Sequence, residues 1–164
     1  MRILGIDPGI ATMGYGILES DRGRQRLIVC GVVTTPPKMP TPDRLFTVFS
    51  DLKQLLALYK PDEAVFEELF FAKNITTAMN VSAARGAALC ACAEYGCPLY
   101  EYTPMQIKQA VAGYGKADKH QMQQMVKLML NLEDIPRPDD AADAVAAALT
   151  HASTGVRKEQ FRMK

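Results

Sequence analysis

Carboxylates gather at three places in this chain. Asp7 ends the apolar run that opens "GIDPGIATMGYG", just before Pro8 and Gly9. Glu67 and Glu68 end a second apolar run. Asp139, Asp140 and Asp143 open an alanine-rich segment near the C-terminus. Singly, each has an ordinary explanation: a turn residue, a solvent-facing strand end, or first-turn partners of a helix dipole. Brought together they would repel one another, and their pKa values would rise. Such a site makes chemical sense when a divalent cation neutralises it. Donors that are all oxygen, without His or Cys, select hard ions, Mg²⁺ with Mn²⁺ as a substitute. Two such ions about 4 Å apart are a standard device for in-line phosphodiester hydrolysis, one activating water and one stabilising the departing 3′-oxygen. The expectation is therefore two metals per site.

The elements that must position these acids are legible from periodicity. Three strand-like runs come first, Arg2–Ile6, Met13–Glu19 and Leu27–Thr35. The proline-rich "TTPPKMPTPD" reads as an irregular connector. A helix follows with Leu45, Val48, Phe49, Leu52, Leu55, Leu56 and Tyr59 on one face, stopped at Lys60-Pro61. "DEAVFEELFF" is a short strand and "PLYEY" a fifth. Between them lies a long small-residue helix ending at Gly96. Thr103-Pro104 caps a helix running to about Ala112. "GYGKADK" is a basic loop, and the next helix buries a stripe of Met122, Met125, Val126 and Met129. The last helix runs from about Asp139, read as its N-cap, to Ser153. Strands in a hairpin-rich start followed by β–α alternation indicate a mixed sheet covered by helices. Asp7 would then close the first strand and Glu68 the fourth, at the shared carboxyl edge where open sheets hold ligands. The glycines after Asp7 read as residues that let a hairpin turn tightly.

The totals bound the class. A chain of 164 residues, 48% hydrophobic and 23% charged, suits one domain with its own core. No apolar run is long enough for a membrane span, and "MRILGID" lacks a signal-peptide pattern, so a cytoplasmic location is expected. Cys30, Cys90, Cys92 and Cys97 have no zinc-finger spacing and read as buried thiols. The net charge of +1 hides opposite patches. Lys108, Lys116, Lys119 and Lys127 share a segment with one acid, and Arg157, Lys158, Arg162 and Lys164 crowd the end. That segregation suits a protein that binds phosphates and also holds cations.

Four blocks, "GIDPGIATMGYG", "EELFFAKN", "QIKQAVAGYGKADKHQMQQMV" and "DDAADAVAAALTH", occur in this order. Together they resemble the RuvC family of Holliday-junction resolvases, from about Met1 to His151. The resemblance implies a ribonuclease-H-like α/β fold, a five-stranded mixed sheet flanked by helices, over residues 1–154; residues 155–164 read from their charge as a basic tail of open role. It implies a Mg²⁺-dependent endonuclease that resolves four-way DNA junctions by paired symmetric nicks. Its catalytic, metal-holding acids fall on Asp7, Glu68, Asp140 and Asp143. Glu68 is preferred to Glu67 because Phe71 and Asn74 follow it three and six residues on. Phe71 is implied to insert at the junction centre, Lys108 and Lys119 to lie near the scissile phosphate, and Arg85 to contact phosphate, a helix salt bridge being its alternative. The resemblance also implies a two-fold homodimer, a preferred cleavage sequence, and cooperation with the RuvA–RuvB branch-migration complex. The helix rich in Ala78, Ala83, Ala84, Ala87 and Ala88 could supply the dimer interface or pack on its own sheet. Competing classes are a related nuclease of this fold acting on other RNA or DNA, an actin or sugar-kinase type ATPase, and a non-catalytic junction scaffold. The ATPase lacks its second "DxG" hairpin here, and a pure polyanion binder has no use for clustered acids.

Overall fold

The computed structural model describes residues 1–69 and 75–164. Strands β1 (Arg2–Asp7), β2 (Thr12–Asp21) and β3 (Arg24–Thr34) form an antiparallel meander. Strands β4 (Glu63–Glu67) and β5 (Leu99–Tyr102) extend it in parallel from β1, giving the order β3-β2-β1-β4-β5. Helices α1 (Thr41–Tyr59) and α2 (Ile75–Tyr95) pack together over one face of the sheet. Helices α3 (Pro104–Ala112), α4 (Lys119–Met129) and α5 (Asp139–Thr154) cover the other.

The pleat sorts the strand residues between these two layers. On β1, Leu4 and Ile6 join the α1/α2 core while Ile3 joins the α5 core. On β4, Ala64 and Phe66 face α1/α2, whereas Val65 faces α5. The odd-numbered positions of both strands therefore point at α5.

Helix α5 lies unusually close to the sheet, and glycine is what permits it. A Cβ added at Gly5 would sit 2.0 Å from the Ala144 carbonyl oxygen, and one at Gly14 would sit 1.9 Å from the Asp140 carbonyl oxygen. The buried Ala141, Ala144 and Ala148 of α5 supply the matching small surface. The tight turn expected after Asp7 uses Gly9, where a Cβ would sit 2.0 Å from the Thr12 carbonyl oxygen, whereas Gly14 serves the close approach of α5. The obstruction at Gly14 is backbone, which cannot swing aside. Gly14→Ala is expected to cost about 3 kcal/mol and lower the melting temperature by roughly 6 °C or more, measured by thermal unfolding. An unchanged melting temperature would contradict this packing.

Several expectations need adjustment. Helix α1 begins at Thr41, inside the proline-rich stretch, because Pro42 occupies an initial position that needs no N–H donor. Met122 and Val126 are core, but Met129 is exposed at the end of α4. Cys92 and Cys97 are buried as read, whereas Cys90 is exposed. Pro138, not Asp139, holds the N-cap of α5, and Asp139 is its first residue. On α2, Ala84, Ala88 and Ala91 pack into the chain's own core.

The basic end of the chain is docked rather than free. A 3₁₀ turn (Gly155–Phe161) leads to a bridge between Tyr100 and Arg162, and the Met163 N–H donates to the Leu99 carbonyl at 2.9 Å. This covers the open edge of β5. Lys158 donates to Glu63, whose other oxygen bonds Nε2 of the buried His151 at 2.7 Å. His151 Nδ1 in turn pairs with the Tyr102 hydroxyl at 2.9 Å. Burial pushes Glu63 up, but the bonds from Lys158 and His151 outweigh it and hold the carboxyl below its usual value. Tyr102 also stacks on Phe161, with ring centroids 4.5 Å apart.

Candidate active site

The pleat that points odd positions at α5 also aims the acids. Asp7 ends β1 and Glu67 ends β4, each one step beyond the paired Ile6 and Phe66. Both lie on the α5 side, as does Glu63, which reaches His151 further along that helix. Asp140 and Asp143 stand three apart at the start of α5, on one face of it. Helix α4 opens with Lys119 behind a capping box in which the Asp118 side chain accepts from the Gln121 N–H at 2.8 Å. Lys119 Nζ spans Asp139 at 3.3 Å and Asp143 at 3.4 Å. Lys108 projects from α3, and a cleft of about 270 Å³ opens between Glu67, Asp143, Lys108, Lys119 and Met122.

Electrostatics tie these groups into one site. Asp7 is pushed up to about 8, first by burial and then by repulsion from Glu67, Asp143 and Asp140. Glu67 rises to about 7 through burial and the Asp143 charge, with Lys108 and Lys119 opposing. Burial also raises Asp143, against the attraction of Lys119. Burial works against the Lys119 charge too, yet Asp143 and Asp139 hold its ammonium above the ordinary lysine value. Asp139, on the exposed side of the cluster, is held low by Gln123 at 2.9 Å and by Lys119. A set of acids this desolvated, with fewer cations than carboxylates around it, is short of positive charge.

The expectation at Glu68 is corrected here. Its backbone N–H continues the pairing with Tyr102 O at 2.8 Å, but the next position along a strand faces the opposite way. The glutamate lining the cleft and acting on Asp7 is Glu67. Apolar patterning carried no signal for this choice, because Ala64, Val65 and Phe66 are all buried and β4 is greasy on both faces. Only the odd-numbered parity shared with Asp7 distinguishes the two. Arg85 takes its salt-bridge alternative: one guanidinium nitrogen bonds Glu101 at 2.6 Å, and the group lies 5.6 Å from the centre of the Phe66 ring. Phe71 falls outside the described residues.

Among the described residues, no three His, Cys, Asp or Glu side chains already form a metal cage. The fit to a divalent ion rests on donor chemistry. Asp7, Glu67 and Asp143 are mutually repelling hard-oxygen donors, the Asp140 charge adds to the repulsion at Asp7, and Lys119 is the cation in contact with Asp143.

Known proteins resemble this chain over most of its length. The family model described as "Crossover junction endodeoxyribonuclease RuvC" matches residues 3–151. A crossover junction endodeoxyribonuclease RuvC of Chloroflexus aurantiacus is 55% identical over 161 residues, 98% of each chain. Two solved Thermus thermophilus RuvC structures superpose closely. One has a TM-score of 0.88 at 38% identity, covering 99% of this chain and 98% of that one. The other, in complex with a Holliday-junction substrate, has a TM-score of 0.90 at 35% identity, covering 99% and 100%. With its ribonuclease-H-like sheet and its carboxylates drawn together at one end, the chain belongs to the RuvC family of crossover junction endodeoxyribonucleases.

Proposed function

We propose that the chain resolves four-way DNA junctions, hydrolysing one phosphodiester per copy at the carboxylates Asp7, Glu67, Asp140 and Asp143, of which Glu67 and Asp143 line the cleft. The observation that carries this is the convergence of raised-pKa carboxylates beside two lysines at one sheet edge. Mg²⁺, or Mn²⁺ in its place, held by these four acids would activate water and stabilise the departing 3′-oxygen. Lys108 and Lys119 flank the same cleft and draw the scissile phosphate to it. Lys119 also orients Asp143 through their 3.4 Å contact. Water oxygen bonds to phosphorus as the P–O3′ bond breaks, leaving a 5′-phosphate and a 3′-hydroxyl.

The described residues of one chain hold one such cluster. Paired nicks in two equivalent strands therefore call for a homodimer, whose two-fold axis matches that of the junction. Its partners are then junction DNA, a second copy and the RuvA–RuvB complex, in the cytoplasm.

A labelled junction incubated with the protein across divalent ions tests this proposal. Cutting is expected with Mg²⁺ or Mn²⁺ and none in chelator. Gel-shift binding is expected to survive in chelator, since the lysines and not the acids hold the phosphates. Equal cutting in chelator would overturn the proposal.

A further inference from the structure

Beside the acidic cleft runs a second depression of different character. It measures about 690 Å³ and is lined by Thr103, Pro104, Met105, Lys108, Gly115 and Lys116, with walls almost wholly apolar. Pro104 and Lys108 line both depressions, so the groove is continuous with the cleft where the scissile phosphate is placed. Its main wall is Met105, which leaves 68% of its surface exposed on the first turn of α3. That turn is held firmly: Thr103 and Gln106 form a reciprocal capping box. Gly115 lacks a left-handed backbone, so turn geometry does not explain it. A Cβ there would lie 2.9 Å from Met105 Cγ, so the glycine lets the loop pack directly against the Met105 side chain and sets where that wall stands.

We propose that this groove seats a nucleobase of the cut strand, next to the scissile phosphate, and so contributes to the preferred cleavage sequence. The proposal rests on the junction-cutting function above. Charge and shape favour a base over the sugar-phosphate backbone. The apolar walls offer nothing to a phosphate, while Lys108 and the exposed Lys116 stand on the rim, where the phosphates on either side of a seated base would lie. A thioether is polarisable and makes favourable contacts with ring systems. Contacts to a ring face tolerate any base, and differences in stacking strength then grade the sequences.

The test uses the full-length protein and mobile junctions carrying 2-aminopurine at each nucleotide flanking the mapped cut, with binding followed in chelator. For the wild type, fluorescence at one of these positions is expected to rise on binding as the base leaves its stack. In Met105→Ala, and in Gly115→Ala, whose methyl displaces the Met105 side chain, that rise is expected to shrink. Cutting in Mg²⁺ is expected to fall about tenfold in kcat/KM, with a flattened ranking of cut sites in a sequence-randomised junction library. Because Met105 is exposed, its variant should melt like the wild type. Met105→Leu, which keeps an apolar wall, should restore most of the activity. If Met105→Ala cuts, ranks sequences and shifts fluorescence as the wild type does, the groove assignment is overturned. If the wild type cuts no junction at all, the underlying function falls first and the groove assignment with it.

Discussion

Glu67→Gln is expected to abolish junction cutting, by about a thousandfold or more, while Glu68→Gln cuts within a few-fold of the wild type. The two residues are adjacent, alike in chemistry and both at a strand end. Only the direction of the side chain separates them. Glu67 faces Asp143 and adds to the charge that raises Asp7, whereas Glu68 follows on the opposite side of the pleat. The amide keeps the size of Glu67 and removes the charge, so the fold and junction binding should survive. The measurement is single-turnover cleavage of a labelled junction, with binding by gel shift as the control. Loss of cutting in Glu68→Gln with retention in Glu67→Gln would reverse the assignment.

Asp7→Asn is expected to stabilise the metal-free protein while destroying its activity. Asp7 titrates near 3.8 in an unfolded chain but at about 8 in the fold. Between those values the unfolded chain gives up the proton and the folded one keeps it. Raising the pH through this window therefore favours unfolding, by up to about 1.4 kcal/mol per pH unit for this one group. Glu67, raised from 4.5 to about 7, works in the same sense over a narrower window. The advantage of Asp7→Asn over the wild type should thus be small near pH 5 and widen towards pH 8. At pH 7.5 in chelator it should be on the order of 2–4 kcal/mol, several degrees in melting temperature. Mg²⁺ should stabilise the wild type more than the variant and close the gap. A gap that is constant with pH, or unaffected by Mg²⁺, would mean that Asp7 is not held in a repelling acidic cluster.

These effects also mark how far the sequence could be read. The mixed sheet, its order of strands and helices, and the placing of Asp140 and Asp143 on one helix face were legible, because apolar periodicity and three-residue spacing encode them directly. Asp7 was legible as a strand end, and its role came from the family resemblance. The choice at Glu67–Glu68 was not. Counting residues to Phe71 and Asn74 favoured one frame, but the pleat is set by which layer each strand position meets, and β4 is buried on both sides. Counting from Glu67 instead moves the aromatic three positions on from Phe71 to Phe70, both outside the described residues. Gly9 was legible as a turn glycine, but the role of Gly14 was not. Gly14 is required by the Asp140 carbonyl, a partner well over a hundred residues away. Arg85 carried two readings and Lys158 stood in a basic tail, and only tertiary structure shows their pairing with Glu101 and Glu63. Long-range partners of this kind leave no local pattern, and the groove beside Met105 is invisible for the same reason.

The central claim, a carboxylate cluster that resolves four-way DNA, is tested most directly by mapping cuts strand by strand. A synthetic mobile junction, end-labelled on each strand in turn, is incubated with the protein in Mg²⁺ beside a linear duplex of the same sequence. The predicted result is paired nicks at matching positions in opposite strands, on the junction alone. Comparable cutting of the duplex, or unpaired nicks scattered over all four strands, would contradict it.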